Sequence, residues 1–317
     1  MFQHQTTIAK IIRVAGVGLH SGVPVQVVIR PAPANTGIVF VRTDLPKATM
    51  IEAKVDQVVC TALATTLGVD GVTLGTVEHV LSAIYALGVS NLFIDVNGPE
   101  VPVLDGSADR WVNAIVDAGL VYQREATRHL VIKKEIEVRD GDKVAKLMPR
   151  GNREPGLHVR CSIYFEHPLI ESQAQTLHIT PEIFAREVAA ARTFGFKKDV
   201  DALRKAGLGL GGSLDNAVVL DGFCVLNDEG LRYADEFVRH KLLDAVGDLA
   251  LVGMPIDGCL VVHKAGHALH TALGKQLLSD PDAFEIVEQA SDCVPLRTTW
   301  NPLVTLPVGL EESPEAA

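Results

Sequence analysis

The chain has 317 residues, of which 47% are hydrophobic and 21% charged, and its formal net charge is −10. This length suits about two domains with sizeable cores, since a domain usually has roughly 100–200 residues. A chain this acidic is not expected to be a general nucleic-acid binder, because such proteins need a basic surface to displace counterions. An anionic small-molecule substrate stays compatible with the net charge, since a local basic pocket can hold it.

Cysteine usage and the pattern of apolar residues both favour the cytoplasm. The five cysteines are odd in number and include no CxxC pair, which argues against a disulfide framework and against a cysteine-type zinc site. The opening, MFQHQTTIAKIIRVAG, lacks the basic and apolar regions of a signal peptide. No uncharged apolar run reaches roughly 18 residues, so no membrane-spanning helix is predicted.

The first third of the chain reads as strands followed by a helix, a strand and a helix. Two runs alternate as β-strands do, VPVQVVIRPAP and TGIVFVRTDL. The period then changes in TVEHVLSAIYALG, where apolar residues recur at helical spacing, with Thr76 as the expected N-cap and Gly88 as the stop. A buried strand, NLFIDV, and a second helix, ADRWVNAIVDAG, follow.

The same order of elements returns after His129. Strands are predicted in HLVIKKEIEVRD, KVAKLMPR and LHVRCSIYFEH, then helices in TPEIFAREVAAA and RHKLLDAVGDLALVG, a strand in GCLVVHKAGH and a last helix in HALHTALGKQLLSD. We therefore predict a duplicated α+β architecture. Its expected parts are an N-terminal domain at 1–127, a C-terminal domain at 128–302 and a mobile tail at 303–317.

One helix carries an unusual file of polar residues. In RHKLLDAVGDLALVG, His240, Asp244 and Asp248 lie four residues apart and so share one face. The spacing alone is weak evidence for a metal site, because a surface ion pair gives the same pattern. The many apolar neighbours indicate a buried helix, however, and buried charges are costly unless they are paired or bound to metal.

A third ligand and a base are sought on another buried helix. His79 lies on the apolar helix TVEHVLSAIYALG beside Glu78, which makes His79 a candidate zinc ligand and Glu78 a candidate base for water. The HExxH pattern of many metalloproteases is absent. The stretch HKAGHALH offers His263, His267 and His270, of which one is a candidate acid and the others are compatible with loop residues. Asp248 is then a candidate to orient such a histidine.

The chain resembles one known family along nearly its whole length, to about Leu303. Motifs similar to those of the bacterial UDP-3-O-acyl-N-acetylglucosamine deacetylases occur in order, as GVGLHSG, RPAPANTGI, TVEHVLSAIYALG, PVLDGSA, ARTFGF, LGGSLDNAVV, EFVRHKLLDAVGDLAL and KAGHALH. The resemblance implies two similar α/β-sandwich domains with helices packed between two sheets. It also implies a zinc-dependent amidase that removes acetate from the acylated UDP-sugar, the committed step of lipid A biosynthesis in Gram-negative bacteria.

By the same resemblance, roles fall on individual residues. The zinc (Zn²⁺) ligands would be His79, His240 and Asp244. Glu78 would be the general base, and His267 the general acid or an electrostatic stabiliser of the oxyanion; the sequence does not divide these roles. The remaining two implied roles are an oxyanion contact from Thr193 and support of His267 by Asp248.

Four further residues are candidates for binding substrate. Lys241 would meet the pyrophosphate, with an exposed helix lysine as the alternative, and Lys143 is a weaker candidate that also fits a hairpin. Phe194 and Leu210 lie in a segment resembling the family's acyl-chain passage, where a small local core is the alternative. The glycines at 207–212 precede no GK[ST], so a Walker loop is rejected, and His20 is interpreted as structural.

Two other functions stay open at this point. A different zinc amidohydrolase would share the metal chemistry, and a nucleotide-sugar binding protein would use its zinc structurally. Structural zinc sites usually have four protein ligands, whereas three candidates are found here, which favours catalysis. A fusion with a lipid dehydratase is not expected, because only a short tail follows the second domain. The expected state is a monomer acting on a small-molecule substrate.

Overall fold

The computed structural model describes residues 3–288. In the first part of the chain the helices are α1 (Glu78–Ala86) and α2 (Asp109–Ala118), with a 3-10 turn at Val55–Gln57. The strands there are β1 (His4–Ile8), β2 (Ile12–Val17), β3 (Pro24–Pro31), β4 (Ile38–Arg42), β5 (Thr49–Glu52), β6 (Val58–Cys60), β7 (Thr66–Val69), β8 (Val72–Leu74), β9 (Leu92–Val96) and β10 (Leu120–Ala126).

The second part begins with the strand that follows β10. Its helices are α3 (Pro181–Glu187), α4 (Lys197–Lys205), α5 (Glu236–Ala250) and α6 (His267–Ser279), with a 3-10 turn at Pro281–Ala283. Its strands are β11 (Arg128–Ile132), β12 (Ile136–Asp140), β13 (Lys143–Met148), β14 (Leu157–Phe165), β15 (Glu171–His178), β16 (Phe194–Phe196), β17 (Val218–Asp221), β18 (Cys224–Val225), β19 (Ile256–His263) and β20 (Phe284–Glu288).

The two main sheets repeat one topology strand for strand. The five-stranded sheet has the order β2-β3-β9-β4-β5, in which only β4 and β9 are parallel. The seven-stranded sheet contains the order β12-β13-β19-β14-β15, in which only β14 and β19 are parallel. It adds β11, which is parallel to β19, and β20, which is antiparallel to β11. In each repeat the last strand follows one helix and precedes another. The predicted α+β class and its duplication are confirmed.

The helices form a layer between these sheets. Helix α2 packs on β2, α5 packs on β14 and β15, and α6 packs on β12 and β13, while α1 contacts both α2 and α5. Helix α5 is buried on nearly every side, as expected for a helix inside a core rather than on its surface. Because α1 and α5 hold the same place in their repeats, the layer brings two equivalent helices face to face.

Each repeat carries an insertion immediately before one of the two equivalent helices, α1 and α5. The small sheet β6-β7-β8 precedes α1, and a unit of α3, α4 and the sheet β16-β17-β18 precedes α5. Every described sheet draws its strands from one side of position 127/128. The division into domains at 1–127 and 128–302 stays a prediction. Residues 289–302 of the second part, and the tail proposed at 303–317, lie outside the described residues.

The start of α1 differs from the sequence prediction, and its end agrees. Val77, not Thr76, occupies the position before the helix. Thr76 has a left-handed backbone with φ 56°, and its hydroxyl donates to Glu100 at 2.7 Å. That side-chain bond to a buried carboxylate takes the place of the expected cap. Gly88 stops the helix as predicted, with φ 71° and its N–H bonded to the carbonyl of Tyr85.

None of the helices within residues 3–288 combines the length and apolar character that crossing a membrane requires.

Candidate metal centre and its catalytic neighbours

Three side chains from the paired helices converge in the helical layer. Helix α1 supplies His79, and α5 supplies His240 and Asp244, all three of them buried. Asp244 Oδ1 lies 3.3 Å from His240 Nε2 and 3.7 Å from His79 Nε2. The three predicted ligands are therefore brought together, and one ligand atom from each lies within 4.8 Å of the others.

The donor set fits a zinc ion. Ligands about 2.0–2.1 Å from a tetrahedral zinc stand roughly 3.3–3.4 Å apart, close to the spacing seen here. Asp244 Oδ1 is buried without a hydrogen-bond partner, a costly state that a cation relieves. His240 Nδ1 donates to the carbonyl of Ala191 at 3.1 Å, which leaves its Nε2 free to bind metal. Two imidazoles and one carboxylate match the three-ligand pattern of catalytic zinc.

The local electrostatics favour the protonation states that a metal requires. Burial, reinforced by the charge of His240, lowers the pKa of His79 to about 3. Burial also lowers the pKa of His240, although Asp244 opposes the shift. Burial alone would raise the pKa of Asp244, but His240 and Lys241 outweigh it and hold that pKa well below its usual range. The directions of these shifts favour neutral imidazoles and an ionised carboxylate, the states that metal ligation requires.

Lys241 lies beside the ligands instead of on an exposed helix face. Its Nζ donates to Asp244 Oδ2 at 2.8 Å and stands 5.6 Å from the centre of the Phe194 ring. Only 26% of its side chain is exposed. The ammonium therefore engages the carboxylate oxygen that does not face the two histidines.

A second group of ionisable side chains adjoins the three ligands. Glu78, next to His79 on α1, is buried, and its Oε1 lies 4.0 Å from His267 Nε2. His267 begins α6, and its Nδ1 donates to Asp248 Oδ2 at 2.8 Å. The structure thus brings together the predicted base, the predicted acid and the aspartate expected to orient that acid.

The pKa values of these groups are strongly displaced. Burial raises the pKa of Glu78 to about 8; His267 opposes the shift, while Asp248 and Asp244 add to it. Burial would lower the pKa of His267, but the charge and hydrogen bond of Asp248 outweigh it and raise that pKa to about 10. For Asp248, too, burial is outweighed by His267, and its pKa falls below the ordinary range. A Glu–His pair displaced in this way is typical of acid–base sites.

The other histidines of HKAGHALH occupy different positions. His270 is buried, and its Nδ1 donates to the same oxygen of Asp248 as His267 does, at 2.8 Å. The cluster of Asp248 with these two histidines is also compact enough to hold a metal, but its 2.8 Å contacts are those of a hydrogen-bonded network. His263 Nδ1 instead pairs with the hydroxyl of Ser162 at 2.8 Å.

Thr193 directly precedes β16, and Phe194 begins that strand. The backbone of Thr193 is bonded on both sides, from its N–H to the Gly106 carbonyl and from the Val218 N–H to its own carbonyl, each at 2.8 Å. The Phe194 ring meets Phe237 at 5.0 Å and His240 at 6.4 Å between centroids. Thr193 lies two residues after Ala191, the residue that orients His240.

The remaining two substrate candidates, Leu210 and Lys143, contact other parts of the chain. Leu210 is 50% exposed, and its N–H donates to the carbonyl of His20, which joins the second insertion to the N-terminal part. Lys143 lies at the start of β13 in the β12–β13 hairpin, where its Nζ pairs with Asp140 at 3.4 Å. Its position fits the hairpin alternative. The backbone N–H of His20 is bonded to Glu100, in keeping with a structural residue.

Sequence reasoning missed Thr65, a fully buried residue between β6 and β7. Its N–H donates to Glu78 Oε2 at 3.1 Å, and its hydroxyl donates to Asp248 Oδ1 at 2.5 Å. Nothing in the stretch TALATTLGV distinguishes this threonine from its neighbours. The contact with Asp248 spans 183 positions, so only the folded chain reveals it.

Comparison with known proteins agrees with this arrangement. The family described as UDP-3-O-acyl N-acetylglycosamine deacetylase matches residues 5–279 of the chain. A protein named UDP-3-O-acyl-N-acetylglucosamine deacetylase from Myxococcus xanthus (strain DK1622) is 49% identical over 284 residues, covering 90% of this chain and 89% of that protein.

Two further relatives carry the same name. The one from Anaeromyxobacter sp. (strain Fw109-5) is 46% identical over 297 residues, which cover 93% of this chain and 96% of the relative. The one from Alcanivorax borkumensis is 47% identical over 292 residues, which cover 91% and 95%. With its paired helices, convergent ligands and Glu–His neighbour, this chain belongs to the UDP-3-O-acyl-N-acetylglucosamine deacetylase family of hydrolases.

Proposed function

We propose that this chain is a zinc-dependent hydrolase that removes acetate from UDP-3-O-(3-hydroxyacyl)-N-acetylglucosamine, the committed step of lipid A biosynthesis. The observation that carries the proposal is the placement of Glu78 and His267 beside His79, His240 and Asp244 in one buried site. The names of the relatives support the substrate. The three-ligand set supports a catalytic rather than a structural metal.

The chain's own residues would hold the metal through His79 Nε2, His240 Nε2 and Asp244 Oδ1. Zinc bound there supplies Lewis-acid polarisation of the amide carbonyl and lowers the pKa of water. Ala191 fixes the ring of His240, and Lys241 holds the second oxygen of Asp244. These two contacts leave Asp244 Oδ1 directed at the histidines.

Glu78 and His267 divide the proton transfers. Glu78 Oε1 takes a proton from the attacking water, and a pKa near neutrality suits a carboxyl that must both accept and release one. The water oxygen bonds to the acetyl carbon, and the electron pair of the C=O bond moves to the carbonyl oxygen as an oxyanion. The C–N bond then breaks as the carbonyl re-forms, which releases acetate and the free amine. His267, held as the cation by Asp248, gives the Nε2 proton to the leaving amine or stabilises the oxyanion.

Five more side chains are proposed to meet the substrate, one at the reacting amide and four beyond it. Thr193 would contact the oxyanion, since its segment continues from the residue that orients His240. Lys241 and Lys143 would meet the pyrophosphate. Phe194 and Leu210 would line the path of the acyl chain, and the exposure of Leu210 leaves its side chain accessible to an apolar ligand.

The protein is proposed to work in the cytoplasm as a monomer. Cysteine usage supports the compartment, since the described cysteines Cys60, Cys161, Cys224 and Cys259 are all free thiols.

The test is acetate release by the purified protein from synthetic acylated UDP-N-acetylglucosamine, with metal analysis of the same sample. We expect about one zinc per chain, loss of turnover on chelation and recovery on zinc addition. UDP-N-acetylglucosamine without the acyl chain is the matched control substrate. A zinc-loaded protein that releases no acetate from the acylated compound would refute the proposed reaction.

A further inference from the structure

Every polar group of Thr65 makes a hydrogen bond to one of the two helices that carry the catalytic candidates. It is fully buried at the end of the first insertion, immediately before β7. Its carbonyl accepts the N–H of Val77, at the start of α1, at 3.3 Å. Its N–H and its hydroxyl donate to two different carboxylates, Glu78 and Asp248. One residue of the insertion thus bridges both site helices.

The bridge determines which oxygen of each carboxylate faces the reaction. On Asp248, Oδ2 already accepts from His267 and His270, and the Thr65 hydroxyl occupies Oδ1. Rotation of that carboxylate would break three hydrogen bonds at once. On Glu78, the Thr65 N–H occupies Oε2, so Oε1 is the oxygen left 4.0 Å from His267 Nε2.

We propose that Thr65 is a positioning residue, whose hydroxyl fixes the Asp248 carboxylate and thereby the imidazole of His267 opposite Glu78. The inference rests on the proposed deacetylase function. It adds a residue that touches neither the metal ligands nor, by this geometry, the reacting atoms. Its effect passes through Asp248 alone, because the N–H to Glu78 belongs to the backbone and survives any substitution except proline.

The test compares three substitutions in the full-length zinc-loaded protein. Thr65→Val keeps the shape of the side chain and removes the hydroxyl, which leaves Asp248 Oδ1 buried without its hydrogen-bond donor. Thr65→Ser restores the hydroxyl without the methyl group. Thr66→Val makes the same chemical change at the next residue, the first of β7, which is half-buried.

We expect Thr65→Val to lower kcat by about tenfold or more, as loss of a hydrogen bond to a charged group predicts. Its KM should stay within about twofold, since substrate binding is untouched. Zinc content should be unchanged, and Thr65→Ser and Thr66→Val should both keep near-normal kcat. If Thr65→Val turns over like Thr66→Val, if Thr65→Ser is as slow as Thr65→Val, or if the slow variant has lost its zinc, the positioning role is wrong.

A second measurement does not depend on turnover. In ¹⁵N-histidine spectra, the Nδ1 protons of His267 and His270 should appear far downfield in the unaltered protein, because both are bonded to a carboxylate. They should broaden or shift in Thr65→Val and return in Thr65→Ser. If the unaltered protein releases no acetate while these signals respond as described, the proposed reaction has failed and the positioning role stands. Signals identical in Thr65→Val and the unaltered protein would overturn the positioning role.

Discussion

Gly247 on α5 faces the backbone of Glu78 on α1 so closely that a Cβ added there would lie 2.0 Å from the Glu78 carbonyl oxygen. No side chain fits between the two helices at this point. The contact sets how near the histidine of one repeat comes to the histidine and aspartate of the other. Helix packing and metal geometry therefore depend on the same glycine.

Gly247→Ala should destabilise the protein by about 1–3 kcal/mol, because overpacking against backbone outweighs the gain in helix propensity. Urea unfolding measures the change. Gly274→Ala is the matched control, since its Cβ would meet side chains and no backbone, Val55 at 3.2 Å and Val252 at 3.6 Å, and it should be neutral or stabilising by up to about 1 kcal/mol. Equal unfolding free energies for the two variants would contradict the close contact.

Removal of a ligand and removal of the base should have separable effects. His240→Ala and Asp244→Ala should each lower the metal affinity. The loss should exceed the roughly 10–100-fold expected when a residue that only hydrogen-bonds to a ligand is removed. Glu78→Ala should keep its metal and lose about 10²–10⁴-fold in kcat. Metal analysis after dialysis, paired with turnover, distinguishes them. Wild-type metal content in either ligand variant would disprove the ligand assignment.

Lys241 is predicted to support metal binding as well as substrate. Lys241→Met leaves Asp244 Oδ2 without its donor, so zinc affinity should fall by about 10–100-fold. Lys133→Met is the control, because it removes the same charge from a lysine that pairs with Glu285 and whose side chain is 54% exposed. Competition with a chelator measures affinity, and KM measures any phosphate contact. Unchanged zinc affinity in Lys241→Met would restrict that lysine to the substrate.

The ion pair of His267 and Asp248 should give stability a defined pH window. Asp248 has a lowered pKa, so its contribution is present above the ordinary value of 3.8 and is lost as pH falls. His267 has a pKa raised from 6.5 to about 10, so its contribution is complete below 6.5 and is lost as pH rises through about 10. The stability difference between the unaltered protein and Asp248→Asn should therefore peak between about pH 4 and pH 6.5.

Urea unfolding of the metal-free protein and of Asp248→Asn across that range provides the measurement. A His263→Ala variant serves as a control, because that histidine pairs with Ser162 and not with a carboxylate. Its stability difference should lack the peak. A constant difference between the unaltered protein and Asp248→Asn at every pH would show that the two side chains do not form a charged pair.

The sequence was sufficient for the duplicated fold because periodicity is a local property. Strands with alternating burial and a helix in TVEHVLSAIYALG are recognisable within a few residues of each other. The row of polar residues on α5 was equally recognisable from local sequence, because the four-residue spacing alone places His240, Asp244 and Asp248 on one helix face. Their convergence with His79 was inferred from burial and from resemblance to the family.

Contacts between distant segments were not predictable in the same way. Thr76 has the residue type of an N-cap, yet its hydroxyl donates a hydrogen bond to the buried carboxylate of Glu100, 24 positions away. Thr65 carries no local signal, and its partner Asp248 belongs to the other repeat. From the sequence, Lys241 was expected to contact phosphate or solvent. In the structure it donates to Asp244 Oδ2, and the spacing of the two residues alone does not show that this oxygen is available.

The repeated topology places one of the three candidate metal ligands in the first repeat and two in the second. A fragment containing either repeat alone therefore holds at most two of the three, too few for a tight site. High-affinity zinc uptake by this chain is consequently a sign that the halves have docked. The rate of zinc binding during refolding can be followed with a chromophoric chelator. It would report the rate at which the two repeats associate, separately from the rate at which each repeat folds.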